Sequence, residues 1–540
     1  MSYLGQAGSE PPEGSAAPGD RSPAPPNGNS AGASSSAPQI PPLSAPVQPK
    51  RQLSRRKIEY APLERELETH GGRDLRLLED DLSLRKSLRD VNEWGKVDIE
   101  AVTMSLRSRI STEISYALTT LSLISTMKGQ VQGTGFPVAQ CEDLMEELLD
   151  LLEDEAFNGA PDKADSDNTQ ITTHREIMNL IHEEELEPFV CLKEHRQGAK
   201  DRSQGLKPRP AHIIMTVMNI LRNLTIFTDN SGFMANHERF LDLFLRVSSI
   251  VRLDGKPHPA SSALSLSDLV VVRRDTLHAL INVASMVQLS PTLIPSKSSI
   301  RITRRAFDLI ASYLVDPTDA VSPITYVKAI GTAQNGPIKP PSLPEAALQV
   351  FTVLALPDSN RRTLSQTIPH SRLYTLFESM IHRLPVGELD FQFLSQETWL
   401  GYLEKVIMSI YAIGFLSPPP LKKKIKADRS LGFRKVMLRM VQKFLLSGSP
   451  QWQAVFMISV KRAIEAMKVI DEARDSFDTS QTTAPTLAFG MGWGEVGDSG
   501  PEKGTGLLGG YLDVTWDLLM QREVDGVMFA ELDSLSRVEC

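Results

Sequence analysis

Three histidines, His174, His182 and His195, stand close together, and the second opens the run His182-Glu183-Glu184-Glu185-Leu186, so zinc-dependent hydrolysis is the first chemistry to test. A zinc protease needs two histidines four residues apart with a glutamate beside the first, so that one helix face offers both imidazoles to one ion. The second histidine is missing, and the run reads as a charged, solvated helix face. The glycine-rich GPEKGTGLLGG from Gly500 sets Lys503 ahead of its main glycines. A phosphate-cradling loop needs its lysine after them, at the mouth of a helix. No Gly-x-Ser-x-Gly elbow occurs. Cys141, Cys191 and Cys540 are odd in number, far apart and without a visible activating partner, which indicates no disulfide framework, no zinc site and a reducing compartment. The sequence therefore reads as a protein with no catalytic residues, no metal and no cofactor: not an enzyme.

Binding motifs are better represented. Lys50, Arg51, Arg55, Arg56 and Lys57 form a compact basic cluster, read as a nuclear localisation signal in an extended peptide. A second tract, Lys422, Lys423, Lys424, Lys426 and Arg429, follows Pro418-Pro419-Pro420 and leads into an amphipathic helix carrying Arg434, Lys435 and Arg439. It reads as a second import signal, a loop contacting DNA or an acidic partner, or a solvated linker, with no aromatic residues between its lysines to stack on bases. Leu148, Leu151 and Leu152 match L-x-x-L-L, a helical pattern that docks into a partner's groove, although the same leucines suit a buried face. Asn219 and Asn223 sit one turn apart in an apolar helix and must be hydrogen-bonded, either to fasten a neighbouring loop or to hold an extended peptide.

The elements that position these residues follow from composition and period. With 41% hydrophobic and 23% charged residues in 540, the chain can bury a sizeable core, and a formal net charge of -8 confines any DNA contact to local patches. No apolar run is long enough to read as a membrane span. Residues 1–49 are a Pro, Ser, Gly and Ala tail, expected to be disordered, and 50–100 hold the basic cluster and an extended strap. Residues 101–470 are helical: Leu106, Ile110, Ile114, Ala117, Leu118, Leu121 and Ile124 predict one helix of about six turns, paired as an αα-hairpin with a helix around Leu144–Leu152. Further stripes include Ile214 to Leu224, Leu277 to Val287, and Trp399 to Ile410. Residues 471–510 read as a flexible Gly, Ser and Thr segment, and 511–540 as a C-terminal helical one. About a dozen helices, with no period-two strands, predict an all-α, irregular armadillo- or HEAT-like stack.

Four stretches carry a resemblance: IEYAPLERELETHGGRDL, DIEAVTMSLRSRISTEISYALTTLSLIS, MNILRNLTIFTDNSGFMANHERFLDLFLRV and RRDTLHALINVASMVQL. Together they resemble the C-terminal armadillo-like core of the large ARID-bearing subunit of SWI/SNF chromatin remodellers, the family that includes Osa, and most of all its fungal members. The likeness is strongest from Arg56 to about Leu289 and continues faintly to about Asp471. It implies a nuclear, non-catalytic scaffold for transcription regulation, whose partners are the ATPase, base-module subunits and, indirectly, chromatin. The strap with Pro62 and Gly71-Gly72 would lead into the first core helix. Only about fifty residues precede that strap, so ARID-mediated DNA binding is not carried over. The rival expectation is a helical-repeat adaptor unrelated to chromatin.

Overall fold

Apolar side chains that recur every three or four residues are buried when they share one face of a helix, and this pattern builds nearly all the regular structure of the chain. The computed structural model describes residues 96–129, 133–162, 170–186, 200–201, 205–206, 209–253, 255–331, 338–394, 396–446, 450–478, 507–508, 511–521, 524 and 526–536. The Lys50 to Lys57 cluster, Cys191, His195, Lys503 and Cys540 lie outside the described residues.

The fold is all-α. Its first helices are α1 (Ile99–Arg107), α2 (Ser111–Ile124), α3 (Glu142–Phe157) and α4 (His174–Leu186). Next come α5 (Pro210–Leu224), α6 (Thr228–Asn236), α7 (Glu238–Val247), α8 (Leu266–Val283), α9 (Lys297–Ser312) and α10 (Pro323–Ile330). They are followed by α11 (Ser342–Leu354), α12 (Asp358–Thr367), α13 (His370–His382), α14 (Glu388–Phe393) and α15 (Glu397–Leu416). The last are α16 (Pro419–Ala427), α17 (Phe433–Leu445), α18 (Pro450–Asp471), α19 (Leu512–Leu519) and α20 (Gly526–Ser536).

Six of these helices, α2, α5, α8, α11, α15 and α18, form one row in which each packs on the next. Beside it α3 packs on α7, α7 on α9 and α9 on α12, while α13 lies on α15 and α16. Local chemistry sets the starts. The Asp98 carboxylate accepts the N–H groups of Glu100 and Ala101 at 3.0 and 3.3 Å to open α1. Ser265 and Asp268 form a reciprocal capping box for α8. Proline at the first turn opens α5, α10 and α16.

Three expectations are corrected. The helix of about six turns is two helices, α1 and α2, broken at Ser108–Ile110 where Arg109 takes a left-handed backbone with φ 54°. The Ser108 hydroxyl accepts the Ile110 N–H at 3.2 Å, and the Arg109 guanidinium reaches Asp154 of α3 at 3.3 Å, so a long-range ion pair holds the break. Ile110 leaves the apolar stripe and is exposed, and α1 packs on both α2 and α3. Secondly, two antiparallel ribbons occur: β1 (Lys200–Asp201) with β2 (Gly205–Leu206), and β3 (Ile250–Leu253) with β4 (Lys256–Pro259). Between β3 and β4, Gly255 has φ 80°, in the left-handed region that favours glycine. Thirdly, α15 is long and apolar enough to cross a membrane by length and mean hydropathy. It instead lies in the row, with Trp399, Leu403, Val406, Ile410 and Ile413 buried and the Trp399 indole N–H donating to the Ile338 carbonyl at 2.8 Å.

Candidate interaction surface

Two of the groups with catalytic potential, His174 and Cys141, are drawn into the packing. His174 packs tilted against Tyr313 with ring centres 4.9 Å apart, and burial holds its imidazole below the usual histidine value. His182 is exposed on α4. Cys141 is free and half-buried, and burial pushes its thiol up, away from the reactive thiolate. Among the described residues no three His, Cys, Asp or Glu side chains gather to hold a metal ion. A cavity of about 130 Å³ beside Asp162, Arg246 and Arg305 is smaller than ordinary ligand pockets, and its charges already pair: Arg305 reaches Asp162 at 2.6 Å and Asp242 at 3.0 Å.

The L-x-x-L-L leucines do not face a partner. Leu148, Leu151 and Leu152 are all buried, because α3 is covered by α1, α5 and α7 together. The second basic tract is also not a loop: its lysines lie on α16. Lys423, Lys424 and Arg429 are exposed, with the Lys424 ammonium 3.9 Å from the centre of the Tyr374 ring, whereas Lys426 pairs with Asp471 at 3.0 Å. Lys422 is buried. Its ammonium donates to the Arg474 carbonyl at 2.8 Å and the Ser476 hydroxyl at 2.7 Å, so it cannot meet DNA or an acidic partner.

That burial has a pH signature. Desolvation pushes the Lys422 ammonium down to about 8, against the opposing pull of Glu472 and Asp475. Between about pH 8 and the ordinary lysine value of 10.5, the unfolded chain binds more protons at this site than the folded one. Stability from this group therefore rises with pH through that window, and the penalty is complete below it. Wild type minus Lys422→Met, followed by urea unfolding, is expected to rise on the order of 1–3 kcal/mol across the window. A flat difference would refute a buried ammonium.

Lys422 belongs to a recurring device. It stands six residues beyond Leu416, the last residue of α15, as Asn230 does beyond Leu224 of α5 and Asn360 beyond Leu354 of α11. All three are buried. The Asn230 amide accepts the Val138 N–H at 3.1 Å and donates to the Phe136 and Leu224 carbonyls at 2.8 and 3.2 Å. Asn360 accepts the Leu289 N–H and donates to the Val287 carbonyl, both at 2.9 Å. Each side chain thus bonds backbone in the loop that follows another row helix. The reading of Asn223 as a fastener agrees with its bonds: its amide donates to Asn219 at 3.2 Å and to the Ser125 hydroxyl at 3.4 Å, and the equivalent Asn282 donates to the Thr225 hydroxyl at 3.0 Å.

Because these bonds draw the ends of α2, α5, α8 and α11 together, the residues just past each end share one edge of the stack. Met127, Ile226, Met286 and Leu356 stand there 41, 57, 45 and 60% exposed. Single exposed apolar residues are ordinary, but a periodic series along one edge is the form of a protein-binding surface. Sequence reading missed it, since the signal is a register relative to helix ends that only the structure supplies.

No family model matches the sequence. The chain is 22% identical over 208 residues to the SWI/SNF chromatin-remodeling complex subunit sol1 of Schizosaccharomyces pombe, an alignment covering 35% of this chain and 23% of that protein. The chain thus spans about a quarter of that relative's length. The crystal structure of an engineered protein superposes over 69% of this chain and 98% of its own, at 11% identity and a TM-score of 0.30, a likeness too slight to bear on the fold.

Proposed function

We propose that the chain is a non-catalytic scaffold subunit of a SWI/SNF-type ATP-dependent chromatin-remodelling complex, acting in the nucleus in transcription regulation. The observation that carries this reading is the match to a SWI/SNF subunit. It is supported by a row of six packed helices with an apolar edge along their ends, a surface suited to holding other subunits in fixed relation. In this reading the row is an armadillo-like array, the Lys50 to Lys57 cluster directs nuclear import, and exposed Lys423, Lys424 and Arg429 supply a local contact to DNA or an acidic partner. The ATPase motor belongs to another polypeptide, and chromatin is reached through it.

Affinity purification of the tagged chain from nuclear extract at moderate salt, with mass spectrometry, tests the proposal. The expected result is stoichiometric recovery of a SWI/SNF ATPase and its core subunits. Their absence from a preparation whose chain is folded and helical would overturn it and leave a helical-repeat adaptor outside chromatin.

A further inference from the structure

Helix α17 presents Lys435, Arg439 and Lys443 at four-residue spacing, which sets them in one ridge with about 6 Å between successive positions. The ridge borders a groove of about 480 Å³ between α17 and α19, within the range of ligand-binding clefts. Its floor is mainly apolar: Leu438 and Leu446 from the first helix, with Gln442 between them, and Val514 from the second, with Tyr511 at the side. Leu446 is 45% exposed.

Two of the three cations already hold a carboxylate. Glu388, the first residue of α14, pairs with Lys443 at 2.7 Å and Arg439 at 3.5 Å. The Lys443 hydrogen bond holds the Glu388 carboxyl below its usual value. Glu388 is nevertheless largely exposed and so is readily displaced, while Lys435 is exposed and has no ion-pair partner among the described residues.

We propose that this groove binds an acidic amphipathic helix of a partner protein, its carboxylates replacing Glu388 along the ridge and its aliphatic side chains entering between α17 and α19. Charge complementarity selects the occupant. The cations follow helical spacing, and the chain's own carboxylate shows the ridge engaging a carboxyl group. An apolar floor favours a helix laid in a groove over a phosphate backbone, which gains from cations alone. Glu388 then acts as an intrachain competitor that sets the threshold for binding. The inference holds whichever complex the chain joins.

The test uses the purified full chain and a fluorescein-labelled synthetic helix with glutamate at every fourth position and leucine between, read by anisotropy. Its glutamine counterpart and a short DNA duplex serve as the contrasting probes. The expected result is preference for the glutamate peptide, a loss of about tenfold or more in Lys435→Glu/Lys443→Glu, and a gain of about two- to fivefold in Glu388→Gln. The gain in Glu388→Gln keeps the test decisive, because damage to the fold cannot tighten binding. Equal affinity for the glutamine peptide, stronger binding of the duplex, or no gain in Glu388→Gln would each overturn the proposal.

Discussion

Replacing Arg383 with methionine is expected to destabilise the fold by about 3–5 kcal/mol, read as a shift of the urea unfolding midpoint. Arg383 follows α13 and is 2% exposed. Its guanidinium donates to the Asp319 carbonyl at 3.0 Å, the Tyr402 hydroxyl at 3.0 Å and the Leu314 carbonyl at 2.8 Å. One side chain therefore joins the segment after α9 to α15. Exchanging a buried ion pair for apolar residues can be neutral when both partners are replaced together. Here two of the three acceptors are the backbone carbonyls of Leu314 and Asp319, which no substitution at Arg383 removes, so methionine takes away their side-chain donor and leaves the buried Leu314 carbonyl without it. Arg383→Lys should recover part of the loss, keeping the charge without the planar fork that reaches three acceptors. A shift below about 1 kcal/mol in Arg383→Met would show that water takes over these carbonyls and that the residue does not join the units.

If the chain is the remodeller subunit proposed above, glutamate at both Ile226 and Leu356 is expected to reduce recovery of the ATPase and core subunits by tenfold or more, with helicity and thermal midpoint unchanged. Both side chains project from the edge formed by the ends of the row helices and are more than half exposed, so the folded chain loses little when they change. An apolar side chain of this size contributes about 1.5–3 kcal/mol when a partner covers it fully, and a charge in the same place must be desolvated without a counter-ion. Recovery equal to wild type would remove this edge from the assembly surface while leaving membership of the complex open to the purification itself.

The two substitutions probe different layers. Arg383 tests how neighbouring helices are joined, and the edge pair tests what the joined helices present. The groove on α17 is a second surface, and its Glu388→Gln variant changes a carboxylate that pairs with Arg439 and Lys443.

What the sequence determined by itself is local. Apolar spacing at Ile214, Val217, Leu221 and Leu224, and again at Trp399, Leu403, Val406 and Ile410, defines helices because one period places them on one face, and those residues are buried. The all-α class follows from the same signal repeated along the chain. The failed spacing of the histidines and glycines was also legible, since metal and phosphate sites require fixed local order. The ribbon strands β3 and β4 are too short to show a period.

What only the tertiary structure decided depends on partners far away in the chain. Arg109 breaks a continuous apolar pattern with the help of Asp154 on another helix, and Lys422 is withdrawn from a basic tract by acceptors at Arg474 and Ser476. Leu148, Leu151 and Leu152 satisfy a docking motif and a core equally well until the helices that cover them are known. Asn230, Asn360 and Lys422 share a register that no residue identity reveals, because a buried amide and a buried ammonium perform the same task of bonding the backbone of a distant loop. Periodicity specifies which face of a helix must be buried, while the identity of what buries it is a long-range property, and the exposed edge and the groove are the surfaces left over once that packing is complete.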